Sequence, residues 1–253
     1  MMKKNLTAVL ILVVAVIGWS ALAQAQQSGP APLEAFYCNY QSGKSMKDLL
    51  PVAERFAKWA DKNDSDYSAW LLTPQFGMFT QLPQVIWLGS NTNGGDFGKG
   101  MEAYEAAGGD DTFGFSKVVD CSMGHVLASS TEINAPEGIP GDGVVMFSQC
   151  KVSEGSDWSK VVAAHKTLSK SMRDMGAKNS NWLFYPMLGG GAIDYDYLAV
   201  STFNSWSDYF AAYQMYVDGA WKKFVDTMKG VATCNNRTPT VWDVKLVRKG
   251  ASS

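Results

Sequence analysis

Between Lys44 and Lys62 the apolar positions are Met46, Leu49, Leu50, Ala53, Phe56, Ala57 and Ala60. That spacing is the i, i+3, i+4, i+7 stripe of an amphipathic helix. On either side the pattern changes to short runs rich in aromatic and aliphatic residues: LEAFYCNY (33–40), YSAWLLTP (67–74) and QVIWLGS (84–90). These read as strands, with a turn from Gly77 to Pro83 between the last two. The loop SNTNGGD can cap a helix, and DFGKGMEAYEAA then reads as a short helix weakened by its glycines. GHVLASSTEI (124–133) closes the series as a strand. The predicted order is β-α-β-β-α-β.

The same order is then written again. GVVMFSQC, NWLFYP, DYDYLAVST and TVWDVKLV read as strands. DWSKVVAAHKTLSKSMRDM, SWSDYFAAYQMYV and AWKKFVDTMKGV read as helical. Sliding the chain by 112 residues places Cys38 on Cys150, Gly43 on Gly155, Lys58 on Lys170 and Trp70-Leu71 on Trp182-Leu183. Pro74 meets Pro186, Gly77 meets Gly189, Asp96 meets Asp208 and Tyr104 meets Tyr216. An offset held without a gap from position 38 to 104 implies a duplicated unit. Two copies of this length are not a solenoid. The expected division is a first repeat at 26–133, a linker at 134–143 (NAPEGIPGDG, broken by prolines and glycines) and a second repeat at 144–253.

β-α-β-β-α-β is the split βαβ, or ferredoxin-like, unit, in which the first and last strands lie side by side and antiparallel. The four cysteines fit it. Cys38 and Cys121 are 83 residues apart, Cys150 and Cys234 are 84 apart, and each pair brackets one repeat from its first strand to its last. The expected disulfides are therefore Cys38–Cys121 and Cys150–Cys234. A metal site is the competing use of these thiols, but no CxxC or HxxxH spacing supports it. Two ferredoxin-like units in one chain resemble the dimeric α/β-barrel superfamily, which includes antibiotic-biosynthesis-type and haem-degrading monooxygenases, chlorite dismutases and dye-decolourising peroxidases. The resemblance lies in the order of elements and covers nearly the whole chain after the N-terminal segment; no family catalytic motif accompanies it. It implies an α+β fold in which two sheets pack face to face or form a barrel with helices outside, and a pocket between a sheet and its own helices.

The N-terminus reads differently. Lys3 and Lys4 precede an unbroken apolar run, AVLILVVAVI (8–17), and small-residue cleavage sites follow, after Ala23 or Ala25. These are the three parts of a secretory signal peptide, taken here as residues 1–25; the apolar run is short for a membrane span. Export to the periplasm or the exterior agrees with an even cysteine count. Losing Lys3 and Lys4 leaves 20 basic against 24 acidic residues, with no basic cluster, so neither nucleic acid nor, after cleavage, a membrane is an expected partner. Phe, Trp and Tyr make up 12% of the chain, enough to line a pocket as well as a core.

Candidate chemistry is sparse. His165 lies in the apolar stripe of the second long helix, among Val161, Val162, Leu168 and Met172, where the first copy has Ala53. A buried imidazole there is either an acid/base or a haem ligand, or a core histidine bonded to a backbone or tyrosine oxygen. Chlorite dismutases are similar in using haem in one copy only. No cofactor is expected from motifs; haem on His165 is the alternative. His125, at the start of the closing strand, either points into the first copy's pocket or sits at the surface. Trp70 and Trp182 are the duplicated aromatics. They form pocket walls if their strand face meets the helices and plain core if it does not. Tyr185, with Tyr195 and Tyr197, flanks the second glycine turn. Asp96 and Asp208 recur where a helix N-terminus needs a carboxylate. No phosphate loop, calcium loop or GxSxG elbow occurs. The expected function is binding of a small apolar or aromatic molecule between sheet and helices, more so in the second repeat, with His165, Trp182, Tyr185, Trp70 and His125 as ligand-contacting residues. The alternatives are an oxidative enzyme, either haem-dependent or resembling the cofactor-free monooxygenases, and an assembly protein or homo-oligomer.

Overall fold

The computed structural model describes residues 29–135, 140–235 and 238–251. The expected signal peptide and the middle of the expected linker lie outside them. Among the described residues nine strands and six α-helices follow in chain order. The first half holds β1 (Ala31–Tyr40), α1 (Met46–Lys62), β2 (Ser68–Phe76), β3 (Val85–Ser90), α2 (Gly94–Ala106), α3 (Gly109–Phe113) and β4 (Val119–Asn134). The second holds β5 (Gly143–Val152), α4 (Trp158–Asp174), β6 (Asn179–Leu188), β7 (Tyr197–Phe203), α5 (Trp206–Met215), α6 (Trp221–Met228), β8 (Ala232–Cys234) and β9 (Thr240–Arg248). A wide helical turn, Tyr216–Ala220, joins α5 to α6. The 112-residue offset carries β1 onto β5, and it carries α1 onto α4 end for end.

The strands close into an antiparallel barrel of eight, in the order β7-β6-β4-β1-β3-β2-β9-β5, with β5 returning to β7 and β8 lying as a short extra strand on β5. Within each half the order is β4-β1-β3-β2 and β9-β5-β7-β6. The halves join through β4–β6 and β2–β9. The barrel strands therefore turn one face to the interior and the other outward, where helices cover much of it. One set of alternate residues fills the barrel: Leu33, Ala35, Trp70, Leu72, Ile86, Val145, Phe184, Val200 and Trp242. The other set faces the helices. In the first half Leu71 and Val85 pack on Leu49, Val52 and Ala53 of α1. In the second, Leu183 and Tyr197 pack on Val161, Ala164 and Leu168 of α4.

Both expected disulfides are present, Cys38–Cys121 and Cys150–Cys234. The closing strand of the first half begins five residues before the predicted start, so Cys121 lies inside β4. A bulge sets residues 121–123 opposite Cys38 between the pairs Tyr37–Gly124 and Asn39–Asp120. In the second half the equivalent stretch is interrupted, leaving β8 and β9 as separate pieces, and Cys150 pairs directly with Cys234. Asp96 and Asp208 sit one turn inside their helices. The caps are Asn93 and Ser205, whose side chains accept from the Asp96 and Asp208 amides. The aspartates are the acidic third residues that complement the helix dipole.

Candidate functional site

Between the sheet of the first half and its helices lies a cavity of about 470 Å³. Strand alternation brings Glu34 and Phe36 of β1, Leu71 of β2 and Trp87 of β3 to its floor. Phe56 and Trp59 of α1 with Phe97, Gly100 and Tyr104 of α2 form its roof. The aromatic rings meet mostly edge to face: Phe56 sits 5.3 Å from Trp87 and 5.7 Å from Tyr67 by ring centroid. This geometry gives each pair favourable quadrupole contact beyond its burial.

One wall of this largely apolar space carries a connected polar network. Tyr67 Oη donates to Glu34 Oε1 at 2.6 Å, and Trp87 Nε1 donates to Tyr67 Oη at 2.8 Å. His125 Nε2 lies 2.8 Å from Glu34 Oε2; with Glu34 ionised, the ring nitrogen is the donor. Register explains the last contact. Phe36 is the direct cross-strand partner of His125 and stacks on it at 3.7 Å, while Glu34, two residues back, is its diagonal neighbour. Glu34 is 8% exposed, whereas the His125 side chain is 46% exposed. The network thus runs from a buried phenol through a buried carboxylate to a ring at the surface. Burial first, then the Glu34 charge, pushes the Tyr67 phenol well above its ordinary range, so it stays protonated and serves as a donor.

Two features place Tyr67. Gly89 is the cross-strand partner of Glu34 and of Ala69, and the Tyr67 ring occupies the space a side chain there would fill: a Cβ on Gly89 would stand 1.7 Å from Tyr67 Oη. From the second half, Arg248 of β9 donates to the Tyr67 carbonyl, to the Ser65 carbonyl at 3.0 Å and to Asp61. It thereby clamps the loop that leads from α1 into β2.

The second half has a smaller helix-covered cavity, about 270 Å³, lined by His165, Leu168, Met172, Asn181 and Phe224 among others. His165 is 9% exposed, and its Nε2 lies 2.9 Å from Tyr197 Oη. Burial lowers its pKa to about 4, so the ring is neutral at pH 7. Haem ligation by His165 needs a free ring nitrogen facing an open space. As folded, Nε2 of His165 is held by Tyr197, and the space beside it is little more than half that of the first half. Among the described residues no group of three or more His, Cys, Asp or Glu side chains could hold a metal ion.

The remaining sequence candidates are dispersed. Trp70 and Trp182 pack with the barrel-interior cluster, and Trp182 also lines the second-half cavity. Tyr185 is 41% exposed and meets Trp158 edge to face at 5.5 Å, outside the helix-covered cavities. Only His125 joins the polar network. Sequence reading missed Glu34, Tyr67, Trp87 and Gly89. The 112-residue offset held a signal for them: their counterparts are Met146, Asn179, Ala199 and Ser201, so the scaffold itself does not demand the network.

No protein-family model matches the chain, and no curated protein matches it by sequence. Solved structures do resemble it in fold. An anthrone oxidase-like protein shares 13% identity at a TM-score of 0.51, over 89% of this chain and 96% of its own. A candidate monooxygenase from Fusobacterium nucleatum shares 7% at 0.55, over 87% and 94%. A chlorite dismutase variant from Candidatus Nitrospira defluvii shares 9% at 0.50, over 87% and 93%. At these identities the likeness is one of fold: the dimeric α/β barrel, here within a single chain.

Proposed function

We propose that the first-half cavity binds a flat, largely apolar molecule bearing one acidic O–H or C–H, and that Glu34 takes up its proton. The observation that carries this reading is the Tyr67–Glu34–His125 network on the wall of an aromatic cavity. Tyr67 and Trp87 fix the carboxylate in one orientation. His125, half exposed, links Glu34 to solvent, so a proton can leave without crossing the aromatic wall. Deprotonating a phenol or its keto tautomer leaves an electron-rich anion able to reduce dioxygen. The names of the anthrone oxidase-like and monooxygenase neighbours support an oxidative reaction of that class. This reading moves the functional centre from the His165 side, favoured by sequence, to the first half.

Three further parts of the reading have their own support. Matching element boundaries and strand orders support a duplicated ferredoxin-like unit divided near residues 134–143. Two disulfides support export to an oxidising compartment; among the described residues no helix is long and apolar enough to cross a membrane. Phe210, Tyr213, Trp221 and Val225 stand about half exposed along α5 and α6, which supports a homo-oligomer.

The test is titration with two- and three-ring phenols and their parent hydrocarbons, followed by tryptophan fluorescence, with dioxygen uptake recorded in parallel. Phenols should bind more tightly than the hydrocarbons. Glu34→Gln should erase about tenfold or more of that preference, the worth of one hydrogen bond to a charged group, and should stop dioxygen uptake. Gly100→Leu, which directs a side chain into the cavity from a position with open space around its Cβ, should block both ligand types. Phenol binding unchanged in both variants would overturn the proposal.

A further inference from the structure

The second-half cavity holds polar groups that the proposed chemistry leaves unused. Strand register sets them in two rows. In one, Ser148 of β5 lies opposite Ala199 of β7, which lies opposite Leu183 of β6; in the next, Met146, Ser201 and Asn181 are matched in the same way. Ala199 and Leu183 pack in the cluster beneath α4. Paired residues share a sheet face, and so do residues two apart on a strand, so both rows face the helices. Their hydrogen bonds consume acceptors and leave donors. Asn181 Oδ1 accepts from Ser169 Oγ at 2.8 Å and from Asn179 Nδ2 at 2.9 Å, and Asn181 Nδ2 donates to Ser201 Oγ at 2.8 Å. The Ser201 proton remains to be donated. Asn179 Oδ1 lacks a partner but is closed to solvent. Ser148 differs. It is 8% exposed and lines the cavity, and its Oγ has no partner in the protein, yet that oxygen, unlike Asn179 Oδ1, is open to solvent. A hydroxyl so placed finds its partner in what enters the cavity. Among the described residues no aspartate or glutamate lines this space; the charged side chain there is Lys223.

We propose that this cavity is a second binding site, for a neutral flat molecule that accepts hydrogen bonds and donates none: an aromatic ketone or quinone. The Ser148 hydroxyl donates to its carbonyl oxygen, and Ser201, the diagonal neighbour across β5 and β7, offers a second donor. The rings of Trp182, Tyr209 and Phe224 line the space that takes the apolar body. The pattern reverses that of the first half. Under the 112-residue offset Glu34 and Phe36 of β1 become Met146 and Ser148 of β5. The acceptor of one site is apolar in the other, and an apolar wall of the first is a donor in the second. Without a carboxylate the second cavity offers an acidic O–H no base, so ketone and phenol are drawn to different halves. The inference stands independently of the first-half reading, because it rests on a different cavity and different polar groups.

The experiment is calorimetric titration of the full oxidised protein at pH 7 with 1-indanone and its parent hydrocarbon, indane. The ketone should bind about fivefold or more tightly than the hydrocarbon, the worth of one neutral hydrogen bond. Ser148→Ala, which removes one oxygen from a side chain with no partner in the protein, should erase most of that preference and leave indane binding unchanged. Ala199→Leu, which extends a side chain into the cavity between Ser148 and Leu183, should block both molecules. Gly100→Leu, which fills the first-half cavity, should leave ketone binding unchanged. Equal affinity for 1-indanone and indane overturns the proposal. So does a ketone preference that survives Ser148→Ala, or ketone binding that Gly100→Leu abolishes.

Discussion

Replacing Gly89 by alanine tests how the site is built. A Cβ at this position would lie 1.7 Å from Tyr67 Oη and 2.2 Å from its Cζ, far inside van der Waals contact, so the ring must leave its place. Its departure breaks the bond to the Glu34 carboxylate, worth about 1.5–3 kcal/mol, and the bond from Trp87, worth about 1 kcal/mol. Alanine recovers part of this, about 0.4–1 kcal/mol, by restricting the unfolded chain. The net expectation is a loss of roughly 1.5–3.5 kcal/mol. The assay is equilibrium urea denaturation of the oxidised protein at pH 7, followed by tryptophan fluorescence. The decisive comparison is the same substitution in a Tyr67→Ala background. With the ring already absent, Gly89→Ala should cost nothing or stabilise slightly, giving a coupling energy close to the whole single-variant loss. A Gly89→Ala protein within about 0.5 kcal/mol of wild type, a margin typical of substitutions that touch nothing, would refute the reasoning. An equal cost in both backgrounds would refute it too, since the glycine would then be needed for something other than Tyr67.

The remaining expectations concern the rest of the frame. His165, held near pKa 4 by burial against an ordinary 6.5, binds its proton more readily unfolded than folded. Stability should therefore be intact above pH 6.5 and fall between pH 6.5 and 4, by up to roughly 3 kcal/mol; His165→Gln should flatten that part of the stability–pH curve. Arg248→Met removes the donors to the Ser65 and Tyr67 carbonyls and should cost about 2–3 kcal/mol, with a matching loss of phenol binding measured by fluorescence titration. Removing Cys38 and Cys121 together opens an 83-residue loop and should lower stability by about 4–5 kcal/mol in denaturant titration. Peptide mapping without reductant should recover Cys38 with Cys121 and Cys150 with Cys234. Gly100→Ala, in a helix and free of contacts, should raise stability by up to about 1 kcal/mol.

Much of the fold was legible in the chain because its signals are local or periodic. The stripe from Met46 to Ala60 makes α1 whatever surrounds it. The 112-residue offset places α4 at residues 158–174 once α1 is placed. The cysteine pairing followed from putting the first and last strands of each unit side by side. Alternation likewise sorted each strand into two sets of residues, with Trp70 and Leu72 on one face of β2 and Leu71 on the other. It did not say which set meets the helices, since both are apolar and a closed barrel with an outer helical layer buries both. The site lay further from view. Glu34 lies 33 residues from Tyr67 and 91 from His125 along the chain; His125 drew notice as a histidine, but neither Glu34 nor Tyr67 carries a signal of its own. Pairing of β1 with β3 and β4 makes them neighbours, and the missing side chain of Gly89 makes room for them. Local sequence determined which segments coil and which extend, because that depends on spacing along one element. Only the closed sheet decided which polar groups share a cavity, because that depends on register between strands distant in sequence.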